Sequence, residues 1–321
     1  MNKSQYLFPS DFMADPSAHV FEDKIYIYPS HDRESGTPEN DNGDHFDMQD
    51  YHVFSLEEVG GEVTDHGKVL SVEDIPWGGR QLWDSDVAFR DGKYYMYFSL
   101  KDKTDIFRLG VATSDAPYGP FVPQGDPIRG SYSIDPSAFQ DTDGNYYLYF
   151  GGIWGGQLQS YRGNKLHPSG TLPHFHEPAL MPKVARLRED MLQFDEAPRD
   201  LLILDEDGEP LKQGDTDHRF FEASWMHKFQ GKYYFSYSTG DTHQIVYATA
   251  DNPYGPFTYQ GVILTPVVGW TTHHSIAEYK GKWYLFYHDS VPSGGKTWLR
   301  SMKMVELNYD EQGRIKTIEG Q

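Results

Sequence analysis

The chain contains no cysteine, is short of basic residues, and has no long apolar run. Without cysteine there are no disulfides, no thiolate-bound zinc, no iron–sulfur cluster and no thiol catalysis. Lys and Arg number 28 against 48 Asp and Glu, so the formal net charge is −20. A surface of that sign repels nucleic acid and anionic membranes, which excludes both as expected partners. No stretch approaches the ~18 consecutive apolar residues of a membrane-spanning helix. The segment Met1 to Phe12 lacks a basic stretch followed by an apolar one, so no signal peptide is visible and a cytoplasmic location is the expectation. Self-association into a homo-oligomer is left open by these features.

What the chain has in excess is aromatic residues and turn formers. Trp, Tyr and Phe make up 15% of its 321 residues, and 31 Gly and 20 Pro are spread along it. This is the composition of an all-β protein with many tight turns. A polar turn followed by alternating aromatics recurs five times: Asp23-Lys24-Ile25-Tyr26-Ile27-Tyr28, Gly92-Lys93-Tyr94-Tyr95-Met96-Tyr97-Phe98, Gly144-Asn145-Tyr146-Tyr147-Leu148-Tyr149-Phe150, Gly231-Lys232-Tyr233-Tyr234-Phe235-Ser236-Tyr237 and Gly281-Lys282-Trp283-Tyr284-Leu285-Phe286-Tyr287. Each reads as a hairpin leading into a strand buried on both faces. A second repeat follows two of them, Asp115-Ala116-Pro117-Tyr118-Gly119-Pro120-Phe121 and Asp251-Asn252-Pro253-Tyr254-Gly255-Pro256-Phe257. Five units of about four strands point to a five-bladed β-propeller, one domain over residues 1–321. A lone β-sandwich does not explain five near-equivalent hairpins.

Two segments depart from the repeat. His31 to Asp47 is polar, acidic and Gly-containing, and is expected to be a long solvated loop. Thr171 to Arg219 is an insertion in which Val184 to Phe194 reads either as a helical turn or as an outer blade strand. Asp141-Thr142-Asp143-Gly144-Asn145 has the start of a calcium-loop pattern but lacks its closing Glu and sits at a hairpin tip, so a turn is the expectation.

In a propeller the innermost strand of each blade begins at one mouth of the channel, so the residues just before each hairpin are candidates to converge. They are Ala14-Asp15-Pro16-Ser17-Ala18-His19, Leu82-Trp83-Asp84-Ser85-Asp86, Ile134-Asp135-Pro136-Ser137-Ala138-Phe139, Phe220-Phe221-Glu222-Ala223-Ser224-Trp225 and Thr272-His273-His274-Ser275. Each carries an acid or a histidine among apolar neighbours, where desolvation is costly unless the group is used or paired. Carboxylates around an aromatic-lined pocket suit glycosidic bond hydrolysis: one acts as base on water, one protonated acid serves the leaving oxygen, and a third negative group keeps that acid protonated. Trp77, Trp83 and Trp225 are candidate sugar platforms; blade packing is the alternative use for each.

Ala14-Asp15-Pro16, Ser133-Ile134-Asp135-Pro136-Ser137 and Phe221-Glu222-Ala223, in that order and one per blade, resemble glycoside hydrolase family 43, and the resemblance runs over essentially the whole chain. It implies an inverting mechanism with Asp15 as general base, Glu222 as general acid, and Asp135 tuning Glu222 and orienting substrate. It also implies a divalent metal ion in the channel, Ca2+ by expectation, near a histidine of the last blade. His273 and His274 compete for that place; adjacent strand residues face opposite sides, and His274 is favoured. Asp86 matches the acidic position of the second blade, with Asp84 two residues away as its alternative. Arg300 matches an arginine that grips sugar hydroxyls, and His288 is placed at the same mouth. The implied substrates are β-linked xylo-oligosaccharides or α-linked arabinofuranosides, with an exo-acting, metal-dependent β-xylosidase as first choice. The implied alternatives are an α-L-arabinofuranosidase or a bifunctional enzyme; a non-catalytic carbohydrate-binding propeller is the alternative of another class.

Overall fold

The structure, a computed structural model, describes residues 3–167 and 170–320. The first four-stranded sheet runs through Met13–Phe21, Lys24–His31, Asp50–Leu56 and Thr64–Ser71. The second uses Gly78–Arg90, Lys93–Asp102, Phe107–Ser114 and Val122–Pro123. Ser137–Gln140, Tyr146–Phe150, Lys183–Arg186 and Arg199–Asp200 form the third. The fourth uses Glu222–Phe229, Lys232–Ser238, Ile245–Ala250 and Phe257–Leu264, with Ile203–Leu204 added in parallel at its outer edge. His274–Tyr279, Lys282–Asp289 and Ser301–Leu307 form the fifth, and the N-terminal strand Gln5–Tyr6 completes it antiparallel to Ser301–Leu307. These sheets are the five blades of a β-propeller, and the pairing of the two chain ends closes the ring.

Each recurrent hairpin joins the first and second strands of a blade. Four of the turns have consecutive left-handed residues, Glu22-Asp23, Asp91-Gly92, Gln230-Gly231 and Lys280-Gly281, with φ between 48 and 82°. That is the type I′ geometry whose twist matches the flanking strands. Asp141 to Asn145 is likewise a hairpin turn: Asp141 accepts from the Thr142 amide at 2.7 Å and from Lys228 Nζ at 3.1 Å. The two Pro-Tyr-Gly-Pro turns dock against the neighbouring blade. The Tyr28 hydroxyl donates to Pro117 O at 2.7 Å and the Tyr149 hydroxyl to Pro253 O at 2.8 Å.

The core lies between blades. Tyr28, Tyr51, Leu82, Met96 and Phe98 pack blade I on blade II, while Phe54, Phe286 and Met304 pack blade V on blade I. A larger cluster containing Tyr97, Tyr149, Phe150, Phe235 and Tyr237 runs from blade II to blade IV. Each buried aromatic ring removes roughly 150–250 Å2 from water, on the order of 4–6 kcal/mol of transfer free energy. The insertion 171–219 supplies the two outer strands of blade III and the strand added to blade IV, so its helical alternative is not the observed one.

Candidate active site

One polar side chain from the start of each inner strand reaches a single cleft of about 480 Å3: Asp15, Asp84, Asp135, Glu222 and His273, with Arg300 beside them. Irregular backbone aims them there. The pairing register slips between Ala14 and Ser17, between Leu82 and Ser85, and between Glu222 and Trp225. Such bulges turn a side chain out of the strict alternation of a strand. Asp15, Asp135 and Ala223 also have left-handed φ of 49, 59 and 66°, a strain that clusters at functional sites. Gly152 makes room: a Cβ there would lie 2.7 Å from Ile134 and 3.2 Å from the Glu222 Cβ.

Asp15 is the ionised member. Burial works against its charge, but Arg300 Nη1 donates to Asp15 Oδ1 at 2.8 Å and holds the carboxyl well below its usual range. Arg300 is itself fixed by buried Asp32, which accepts from Arg300 Nε at 2.8 Å, from Nη2 at 2.7 Å and from the Arg300 amide at 2.8 Å. His288 stands behind Asp15: the Asp15 amide donates to His288 Nδ1 at 3.1 Å, and His288 Nε2 donates to Thr271 O at 2.9 Å. Burial pushes His288 down to about 3, so the ring is neutral and its contact with Asp15 is no ion pair.

Glu222 is the protonated member. Burial, and then the charges of Asp84 and Asp15, raise it to about 8, against the opposing pull of Arg300. The residue keeps some exposure on the cleft, so it remains accessible to a ligand. Asp135 is raised well above the usual range by burial and by Asp84, and Oδ2 accepts from the Ala223 amide at 2.7 Å. Asp135 therefore holds the backbone next to Glu222, while the charges that raise Glu222 come from Asp84 and Asp15. His273 Nδ1 stands among the acids, 3.3 Å from Asp84, 3.7 Å from Asp15 and 3.9 Å from Asp135.

Among the expected site residues, Asp15, Asp135, Glu222, Trp83, His273 and Arg300 line the cleft. Several others do not. Asp86 is buried below it, held by His19 Nε2 at 2.5 Å and by the Ala138 amide at 2.7 Å, and so staples three blades; Asp84 takes the place at the mouth. Trp77 stacks on Phe98, and Trp225 is buried with Nε1 donating to Ile276 O at 3.1 Å, so both are packing residues. His288 supports Asp15 from behind, with no face on the cleft. His274 lies off the acid cluster, its Nε2 at 2.6 Å from Ser236 Oγ and its buried Nδ1 without a partner; His273 is the one that reaches the carboxylates.

The segment His31 to Asp47 is no free surface loop. Glu39, Asp41, His45 and Phe46 form a wall of the cleft. Trp83 Nε1 donates to Phe46 O at 2.8 Å, Gln81 Nε2 donates to Gly43 O at 2.7 Å, and a Cβ on Gly43 would lie 2.7 Å from the Trp83 ring. The open ring faces belong to Trp154, 41% exposed, and Trp270, 39% exposed, which sequence reasoning missed. Two sets of His and acidic residues could hold a metal ion among the described residues: Asp15, Asp84 and His273, whose ligand atoms lie within 4.8 Å of one another, and His31, Asp50 and His52.

An ionised and a protonated carboxyl group facing one aromatic-walled cleft at a propeller mouth is apparatus for breaking glycosidic bonds. Fold and site together define a glycoside hydrolase. The family model for glycosyl hydrolases family 43 matches residues 9–315, and the chain belongs to that family. It is 70% identical over 319 residues to a xylosidase/arabinosidase of Bacteroides ovatus, covering 99% of this chain and 98% of that protein. It is 62% identical over 318 residues to a β-xylosidase of Xylanibacter ruminicola, covering 98% and 99%. Among solved structures, the β-xylosidase RS223 superposes with a TM-score of 0.98 at 71% identity, covering 99% of each chain. A β-xylosidase/α-arabinofuranosidase from a compost microbial metagenome, solved with xylotriose in a calcium-free form, superposes with a TM-score of 0.97 at 60% identity, again over 99% of each chain.

Proposed function

We propose that the chain is an inverting, exo-acting β-xylosidase that releases xylose from the non-reducing end of β-1,4-xylo-oligosaccharides. The observation that carries the reading is the split in protonation across one cleft: Asp15 held ionised by Arg300, Glu222 held protonated by burial and by Asp84 and Asp15. In this reading a water attacks the anomeric carbon and gives its proton to Asp15. The bond to the leaving oxygen breaks, its electron pair stays on that oxygen, and Glu222 supplies the proton. A β-linkage then yields α-xylose. Asp135 positions Glu222 through the Ala223 amide and orients the sugar. Arg300 is a candidate for gripping sugar hydroxyls, and Trp154 and Trp270 offer their faces to the rings. Glu39, Asp41 and Phe46 wall the cleft, and a walled cleft is the form that exo action on a chain end uses.

A divalent cation, calcium by expectation, fits this chain. Asp15, Asp84 and His273 offer two oxygens and a nitrogen, and the buried Asp84 Oδ1 and Asp135 Oδ1 have no hydrogen-bond partner. When bound, the ion would supply charge compensation among the crowded acids. A second activity, α-L-arabinofuranoside cleavage by the same acids, is favoured by the relatives' names, two of which join xylosidase and arabinosidase or arabinofuranosidase. Rates on xylobiose, xylotriose and arabino-oligosaccharides, with Glu222→Gln and Asp15→Asn as controls, test the reading. Xylose release from the xylo-series, lost in both variants with the fold kept, is expected. Binding without turnover, or full activity in either variant, would overturn it.

A further inference from the structure

The cleft-wall loop, residues 32–49, leaves the sheet after His31, the last residue of one strand, and re-enters at Asp50, the first residue of the next. These two residues meet at the base of the loop, His31 Nδ1 lying 2.5 Å from Asp50 Oδ1. His52, two positions along the same strand, adds its ring 4.9 Å from that of His31. Residues two apart share a strand face, so Asp50 and His52 present together against His31 from the neighbouring strand. Ligand atoms of the three lie within 4.8 Å of one another, and all three residues are half-buried.

The surroundings of the two rings carry the argument further. His31 Nε2 is 3.2 Å from Asp11 Oδ2, and His52 Nδ1 is 3.1 Å from Asp65 Oδ1. His31 thus has an outer carboxylate, Asp11, at Nε2 and the central one, Asp50, at Nδ1, while His52 has an outer carboxylate, Asp65, at Nδ1; a common ligand would enter between His31 Nδ1 and Asp50 and take Nε2 of His52. Carboxylate–histidine–metal triads have this form: the outer acid fixes the tautomer and raises the basicity of the coordinating nitrogen. Here the form occurs twice, around one coordinating carboxylate.

The geometry points to a second metal site, a His2Asp centre for a zinc-class divalent cation, separate from the acid cluster of the cleft. Two imidazoles favour zinc, nickel or copper over calcium, which takes oxygen donors. Ligand atoms around a tetrahedral zinc stand roughly 3.4 Å apart, so the set tightens on binding, and its part-exposed side chains have the freedom to do so. The ion takes the place of the hydrogen bond between His31 Nδ1 and Asp50 Oδ1, and metal binding to histidine displaces protons from its ligands. Bound there, it staples both ends of the loop that walls the cleft. Clips that close long loops restrict the unfolded chain most.

Titration calorimetry of the chelator-stripped protein with Zn2+ alone at pH 7.5, in two buffers of different ionisation enthalpy, tests the site. The wild type is expected to bind one more zinc than His52→Gln or His31→Gln, with proton release. His273→Gln, which alters only the cleft group, is expected to keep the extra zinc. Asp65→Asn, a mild change at a part-exposed residue, is expected to weaken that zinc about 10–100-fold. Zinc is expected to raise Tm in the wild type and in His273→Gln, and not in His52→Gln. Unchanged zinc stoichiometry and affinity in both His31→Gln and His52→Gln, or no zinc binding by the wild type, overturns the proposal.

Discussion

Replacing Asp84 by Asn removes one negative charge from the cleft with almost no change of shape. Burial alone raises Glu222, and Asp84 is the first charge that adds to it, lifting the acid from its ordinary 4.5 to about 8. For like charges on the order of 5–8 Å apart, the repulsion is roughly 2–3 kcal/mol at an effective dielectric near 20, or about 1.5–2 pKa units. The cleft opens to solvent, which screens part of this, so a fall of about one unit is the expectation. The sign is fixed: removing a negative neighbour favours the ionised form, so Glu222 loses its proton at lower pH. The alkaline limb of kcat/KM, which reports the free enzyme's acid, is expected near pH 8 in the wild type and about one unit lower in Asp84→Asn. At pH 8 the protonated fraction then drops about five-fold. The assay is kcat/KM on xylobiose between pH 5 and 10, with 4-nitrophenyl β-xyloside as control. A nitrophenolate leaves with little help from an acid, so its alkaline limb is expected to be shallow. An alkaline limb for xylobiose that stays put or moves up in Asp84→Asn refutes the assignment of the acid and of its tuning.

Glu222→Gln is expected to lower kcat on xylobiose by about 10²–10⁴-fold while KM changes little, since general acid help is the contribution removed. Trp225→Ala is expected to cost about 3–5 kcal/mol of stability in a denaturation curve, with KM unmoved, because its ring is packed between blades. Trp154→Ala, at an exposed ring on the cleft, is expected to do the reverse, raising KM by about 2–10-fold with Tm unchanged. Deleting residues 1–8 removes the closing strand, buried Leu7, and the bonds from the Tyr6 hydroxyl to Asp289 at 2.9 and 3.1 Å; a loss of about 3 kcal/mol or more is expected in urea unfolding. Chelation of divalent ions is expected to lower both kcat and Tm, with recovery on adding calcium; indifference of both to exhaustive chelation removes the calcium reading.

The blades were legible because local chemistry and global fold agree at the hairpins. Glu22-Asp23, Asp91-Gly92, Gln230-Gly231 and Lys280-Gly281 are turn-forming pairs directly before aromatic strands buried between blades. The Asp-Pro-Ser and Glu-Ala-Ser starts were legible for a different reason, since an acid at an inner-strand start has no inexpensive structural use. Asp84 and Asp86 could not be told apart by counting alone, because a bulge inserts a residue and upsets counting by twos. The slip between Leu82 and Ser85 brings Asp84 to the mouth and leaves Asp86 to staple His19 and Ala138. Trp77 and Trp225 were indistinguishable from Trp154 and Trp270 in sequence, because the chemistry of a ring does not say which face meets solvent. The role of residues 31–47 was hidden since their composition is that of any solvated loop. The contacts that fix them, Trp83 and Gln81 to Phe46 and Gly43, join segments far apart in the chain.

The central claim is that Asp15 and Glu222 act as separate base and acid on a water and a leaving oxygen. Proton NMR of xylotriose hydrolysis, recorded within the first minutes and before mutarotation, tests it most directly. The account expects free xylose with the α-anomer in excess from the first spectrum, together with xylobiose. Early accumulation of β-xylose would mean retention through a covalent intermediate, and would contradict the assignment of both carboxyl groups.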